Sequence, residues 1–244
     1  MKYLKFHFIF HLPVLAALFF FSPPFFFTEI WAVVILLFGV IIVVATWEKS
    51  AVERGIWIYK MGDYLFRVLH LPVEEYVGAV FQALEVMIVC HFLFREFPTA
   101  LLMERNLPGL TAASVWMPAL VFITMWVVVG IMYGGRIRKD LPRASYAWHI
   151  LYWVLPLFVL EWIPGWDIFL PRWPYLLLPT FLVGSYLSII DFIAMHWGLR
   201  FFDRKQTLGW KVQNLLPWEQ VLLNFLACMI LTQSFILLLP PYRR

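Results

Sequence analysis

Charge is what this sequence has least of. Only 14% of its 244 residues are charged while 63% are hydrophobic, against about 25% and roughly 45–50% in an ordinary soluble domain. A water-facing surface cannot be covered from that stock. Cysteine is nearly absent too: Cys90 and Cys228 both lie in apolar runs, which excludes the disulfide framework of a small secreted domain. No G-x-G-x-x-G occurs, so dinucleotide binding has no support, and no D-D-x-x-D offers the magnesium ligands of diphosphate-ionising enzymes. The six histidines are scattered, unlike the clustered boxes of a membrane di-iron oxygenase. His7 and His11 are spaced i, i+4 but have no third ligand nearby, so the plain reading is a pair of satisfied helix histidines. The formal charge of +4 comes without a continuous basic stripe, which argues against a nucleic-acid partner.

What is present is apolar length. Mean hydropathy is +0.80, and seven windows of membrane-spanning length occur near 4–21, 25–46, 73–94, 110–133, 145–161, 174–197 and 217–239. They are continuous rather than alternating, and in lipid a backbone must satisfy itself, so the windows predict helices. The first window follows a short basic segment, as in a signal peptide, but SPPFFF and not a small-x-small cleavage site comes after it, so it is read as a span. Fourteen Lys and Arg fall on the side of the N-terminal tail and five on the other. The positive-inside rule then predicts a multi-pass cell-membrane protein with a cytoplasmic N-terminus and Arg244 outside.

Self-similarity organises the chain further. Leu12-Pro13 recurs as Leu155-Pro156, Glu48 is matched by Asp191 and Gly55 by Gly198, all at an offset of 143. LPVEE at 71–75 recurs as LPWEQ at 216–220, at an offset of 145. The fold expected is all-α: two parallel three-helix repeats, residues 1–95 and 145–244, joined by a linker at 96–144 that carries the fourth span and restores orientation.

Carboxylates inside spans cost about 2.5–3.5 kcal/mol on insertion scales and are functional candidates by default. Glu74, Glu75 and Glu219 follow a proline at a helix start, where a carboxylate also complements the dipole. One isolated copy would read as helix capping; two copies in register ask for more. Glu85 lies eleven positions after Glu74 and points the same way within about 20°, with Gly78 and Phe81 on the stripe between them. Interhelical hydrogen bonding is the plain account of Glu85 and Gln82. Glu48 and Asp191 complete the acidic set at the same face.

These residues resemble a known family. TWEKSAVERGIWIY followed by HLPVEEYVGAVFQAL, with SIIDFIAMHWG, KQTLG and LLPWEQ in the second half, is similar to the W-D-x-x-x-x-x-x-G-x-W and P-x-E-E elements of the membrane-integral lycopene cyclases. The resemblance covers both repeats. It implies carotenoid biosynthesis: non-redox acid–base closure of ionone end rings, β in the first instance, on a linear carotene such as lycopene. No cofactor or metal is implied, and the implied activity is that of an intramolecular lyase or isomerase. Partners would be the lipid-soluble carotene and membrane lipid, with a homo-oligomer or contact with other carotenoid enzymes left open. The family's carboxylates carry over onto Glu74, Glu75 and Glu219, and its upstream acid onto Glu48 and Asp191. Glu74 is expected to face Glu219 between the repeats, with Glu75 as partner and Glu48 and Asp191 as orienting groups. Departures are Glu48 for the usual Asp, Gln220 for the second acid, and Arg200 where the first repeat has Trp57. Another isoprenoid cyclase, a carotenoid hydratase and a proton-coupled carrier stand as alternatives.

Overall fold

The computed structural model describes residues 2–22, 25–60, 62–97, 112–134 and 142–239. Arg244 lies outside the described residues, as does most of the 96–144 linker apart from its helix. The elements are α1 (Lys2–Phe21), α2 (Phe25–Glu53), β1 (Trp57–Tyr59), β2 (Arg67–Val68), β3 (Leu71–Pro72), α3 (Val73–Glu96) and α4 (Ala112–Gly134). There follow α5 (Ser145–Phe169), α6 (Trp173–His196), β4 (Arg200–Phe202), β5 (Lys211–Val212), β6 (Leu216–Pro217) and α7 (Trp218–Leu238). Among the described residues six helices are long and apolar enough to cross a membrane. The window expected at 110–133 coincides with α4, several of whose side chains lie outside the described residues.

Half or fewer of the residues in each of those six helices are buried within the protein. Trp31, Phe38, Leu160 and Ile189 are among the large apolar side chains left on the outside, the pattern of helices whose outer solvent is lipid. α1 and α2 pack on α3, α5 and α6 pack on α7, α3 meets α6 and α7, and α4 lies along α5. Each half is thus gathered around its third helix, and the two third helices touch.

Six short strands depart from an all-helical reading, and they follow from how the helices end. α2 closes on Gly55 at φ +69°, with Gly55 N–H donating to Val52 and Ile56 N–H to Ala51, both at 2.9 Å. α6 closes on Gly198 at φ +70°, with Gly198 N–H donating to Met195 and Leu199 N–H to Ala194, both at 3.0 Å. Glycine alone takes this left-handed step without a Cβ penalty. Each chain leaves its helix as a strand, and β1 pairs antiparallel with β4, Trp57 opposite Phe202 and Tyr59 opposite Arg200. The halves are stitched there by backbone bonds. Each chain then turns through a tight hairpin, β2–β3 or β5–β6, with Leu69 and His70, or Gln213 and Asn214, at positive φ. Those hairpins deliver Pro72 and Pro217 immediately before α3 and α7.

α2 also runs seven residues beyond its expected end at 46, so Glu48 sits inside the helix rather than at a loop edge.

Candidate functional site

The β1–β4 ladder and the starts of α1, α3, α5 and α7 enclose a buried polar cluster between the halves. Tyr3, on the first turn of α1, donates through its hydroxyl to Glu75 of α3. Tyr146, on the first turn of α5, donates likewise to Gln220 of α7. The backbone holds both tyrosines: Tyr3 N–H donates to Asp63 at 3.1 Å and Tyr146 N–H to Gln206 at 3.0 Å. Neither tyrosine was singled out in the sequence, although they share the 143-residue offset of Glu48 and Asp191.

Arg200 is the centre of the cluster. It is 5% exposed, and its Nη2 lies 2.5 Å from Asp191 Oδ1 while Nη1 lies 3.9 Å from Glu75 Oε2. Its guanidinium stacks over Trp57 at 4.9 Å and Phe202 at 5.6 Å from the ring centroids. Burial works against its charge, but Asp191, Tyr3 and Glu75 outweigh burial and hold its proton affinity well above the ordinary arginine value. Asp191 also receives Gln220 Nε2 at 2.6 Å and Asn224 Nδ2 at 2.8 Å on its other oxygen. Three donors thus converge on the Asp191 carboxyl, one on Oδ1 and two on Oδ2.

Glu48 differs. It is 9% exposed, within electrostatic reach of Glu75, Arg200 and Asp191, and its Oε2 is buried without a partner among the described residues. Tyr59 completes the wall. Burial first, and the Glu75 carboxylate second, push its phenol well above the usual tyrosine range, so it stays neutral. The remaining lining is aromatic, with Trp47 edge-on to Trp57 at 5.1 Å.

The structure therefore brings Glu48, Glu75 and Asp191 within electrostatic reach of one another, and it bonds Glu74 and Glu219 to the loops that precede their helices. Glu74 Oε1 accepts the backbone N–H of Leu65 at 2.7 Å, and Glu219 Oε1 accepts that of Leu208 at 2.5 Å. Both are in the first turn of their helices, yet neither caps its own helix; each clasps the loop that precedes it. A direct Glu74–Glu219 contact is not among the hydrogen bonds of the described residues. The second oxygen of each, Oε2, is buried without a partner among the described residues.

Below the cluster, along the α1–α3 seam, His11 Nδ1 meets Glu85 Oε1 at 2.9 Å, which is the interhelical bond expected of Glu85. His7 is buried beside Gly78, and neither of its ring nitrogens has a partner among the described residues. The reading of both histidines as satisfied thus holds for one nitrogen of His11 and fails for His7.

Comparison with known proteins adds an independent line. No family model matches the chain, and no solved structure gives a significant match. The chain is similar to a lycopene beta-cyclase of Halobacterium salinarum, 24% identical over 191 residues that cover 78% of this chain and 75% of that protein. It is also similar to a bifunctional lycopene cyclase/phytoene synthase of Phycomyces blakesleeanus, 26% identical over 233 residues covering 95% of this chain but 38% of that longer protein. A protein of the same description from Blakeslea trispora is 22% identical over 227 residues. The chain is thus similar, at low identity, to proteins described as lycopene cyclases over most of its length.

Proposed function

We propose that this chain is a membrane-embedded lycopene cyclase of carotenoid biosynthesis that closes β-type end rings by proton transfer alone, an isomerisation without cofactor. Its architecture is read as two parallel three-helix repeats joined by α4, with a cytoplasmic N-terminus. The matched glycine turns, tyrosine anchors and glutamate clasps in the two halves support that reading, as does the similarity to the archaeal and fungal cyclases. The observation that carries the function is the composition of the buried cluster: Glu48, whose Oε2 has no partner among the described residues, lies within electrostatic reach of Glu75 and of Asp191, and Asp191 is held by Arg200, Gln220 and Asn224.

Cyclisation needs an acid strong enough to protonate a C=C at C2, and surroundings that stabilise the tertiary cation until the next double bond attacks it. Glu48 and Glu75, within electrostatic reach of one another, are assigned one shared proton. Among the described residues nothing donates to Glu48 Oε2, which leaves that oxygen free to carry the transferable proton. After transfer the pair carries the negative charge that offsets the carbocation. Arg200 would oppose a cation, but Asp191 neutralises it at 2.5 Å. Arg200 in turn fixes Asp191 and covers one face of Trp57, leaving Tyr59 and Trp47 as aromatic walls, each contact contributing about 0.5–2 kcal/mol. Glu74 and Glu219 are positioning residues that hold the loops.

The test is expression in lycopene-accumulating cells with pigment chromatography. Wild-type protein should yield cyclised carotene, and Glu48→Gln and Glu75→Gln should lose it by ~10²-fold or more at equal membrane yield. Unchanged product in both variants would remove the acid from this cluster.

A further inference from the structure

His7 is 4% exposed on α1, one turn beyond Tyr3, and both of its ring nitrogens are buried without a partner among the described residues. Its ring occupies the space a side chain at position 78 would need: a Cβ added to Gly78 would lie 2.9 Å from Nδ1 and 3.1 Å from Nε2. Gly78 is three residues past Glu75 on α3, so its Cα lies ~4.5 Å further along that helix. On the cluster side, the Tyr3 ring is 4.8 Å from the His7 ring, and its hydroxyl donates to Glu75. On the far side, His11 stacks on His7 at 5.5 Å with an 18° tilt, and Glu85 holds His11 Nδ1. His11 Nε2 and Glu85 Oε2 are buried without partners as well. In the second half the corresponding positions are Ile150, Val154 and Leu223, all apolar. Packing alone therefore does not ask for imidazole here, and burying one without hydrogen bonds is costly.

We propose that His7 is the base that takes the ring proton in the cyclisation, that Gly78 is the residue that admits it, and that His11–Glu85 positions it. The inference rests on the cyclase reading above. The Glu48–Glu75 pair gives its proton to C2 of the C1=C2 bond, and the C5=C6 electron pair then forms the C1–C6 bond, leaving the charge on C5. The electrons of the C6–H bond become the new C5=C6 bond while the proton passes to a lone pair of His7. The proton then returns from the imidazolium to Glu75, the carboxyl that the Tyr3 hydroxyl holds. The enzyme is restored and the net change is isomerisation.

The experiment is turnover of lycopene by purified wild-type protein, His7→Ala and His7→Gln in lipid nanodiscs, each normalised to folded protein. His7→Ala should fall by ~10²-fold or more, and free imidazole should restore part of that loss, whereas pyrrole, equal in size but without a basic lone pair, should not. His7→Gln, which keeps volume and polarity, should stay as low as His7→Ala. Wild-type turnover in either variant, equal recovery with pyrrole, or no recovery with imidazole overturns the role of His7 and leaves the cyclase reading standing. Failure of the wild type to cyclise lycopene overturns both.

Discussion

Replacing Arg200 with leucine removes the cation from the centre of a buried cluster of acids. Asp191 keeps two amide donors, Gln220 Nε2 at 2.6 Å and Asn224 Nδ2 at 2.8 Å, but loses its partner at 2.5 Å. Glu75 loses its partner at 3.9 Å. Removing one member of a buried ion pair typically costs about 3–5 kcal/mol, mostly from the charge left behind. Lost stacking on Trp57 and Phe202 adds ~0.5–2 kcal/mol, while the two amide donors retained by Asp191 keep the total near the lower end, about 3–4 kcal/mol. Arg200→Lys should cost about 1–2 kcal/mol, since it keeps the charge but not the planar fork or the ring contact. Adding Asp191→Asn to Arg200→Leu should recover at least ~1 kcal/mol, because no unpaired charge then remains at that position. Equilibrium unfolding by SDS in mixed micelles reads all three. A loss below ~1 kcal/mol in Arg200→Leu, or strict additivity in the double variant, would refute the account of Arg200 as the clamp of this cluster.

Glu74→Gln and Glu219→Gln each keep an oxygen for Leu65 or Leu208 but not its charge, so each should cost ~1 kcal/mol of stability and leave turnover per folded molecule within a few-fold of wild type; activity normalised to folded protein checks this. Gly55→Ala and Gly198→Ala force a Cβ into φ near +70° and should each destabilise by about 1–2 kcal/mol, measured by the same SDS unfolding. Reporter fusions within 60–70, within 204–214 and after Arg244 should give cytoplasmic, cytoplasmic and outside signals, and an outside signal from 60–70 would reverse the orientation drawn from the charge count.

The apolar windows made the helices legible, since in lipid an uninterrupted run has little alternative to a helix. Their ends were less so. α2 extends through Thr46-Trp47-Glu48 to Glu53, because a polar stretch in which Lys49 pairs with Glu53 one turn on at 3.7 Å does not stop a helix that closes only at Gly55. The strands were not legible: β1 and β4 are three residues each and exist because the two halves meet there, a condition no local pattern encodes. Among the acids, the repeat pairs Glu48 with Asp191 and Glu74 with Glu219 and leaves Glu75 opposite Gln220, whereas the loop N–H groups that Glu74 and Glu219 accept lie nine and eleven residues earlier, where no pattern points to them. Arg200 was noticed as a mismatch with Trp57, and the structure turns that mismatch into a contact, the guanidinium of one half lying on the indole of the other. Tyr3 and Tyr146 carried the right offset but an unremarkable residue type for a membrane boundary, where tyrosine is common.

The central claim is ring closure by proton transfer without a cofactor, and solvent labelling tests it most directly. Purified protein in nanodiscs, given lycopene in D2O without added flavin, nicotinamide or metal, should form cyclised carotene carrying one deuterium at C2 for each ring closed. The mass should therefore rise by about one unit per ring relative to product made in H2O, as protonation at C2 from a solvent-exchanged carboxyl requires. Cyclised product without that deuterium, or formation only after addition of reduced flavin, would contradict the account.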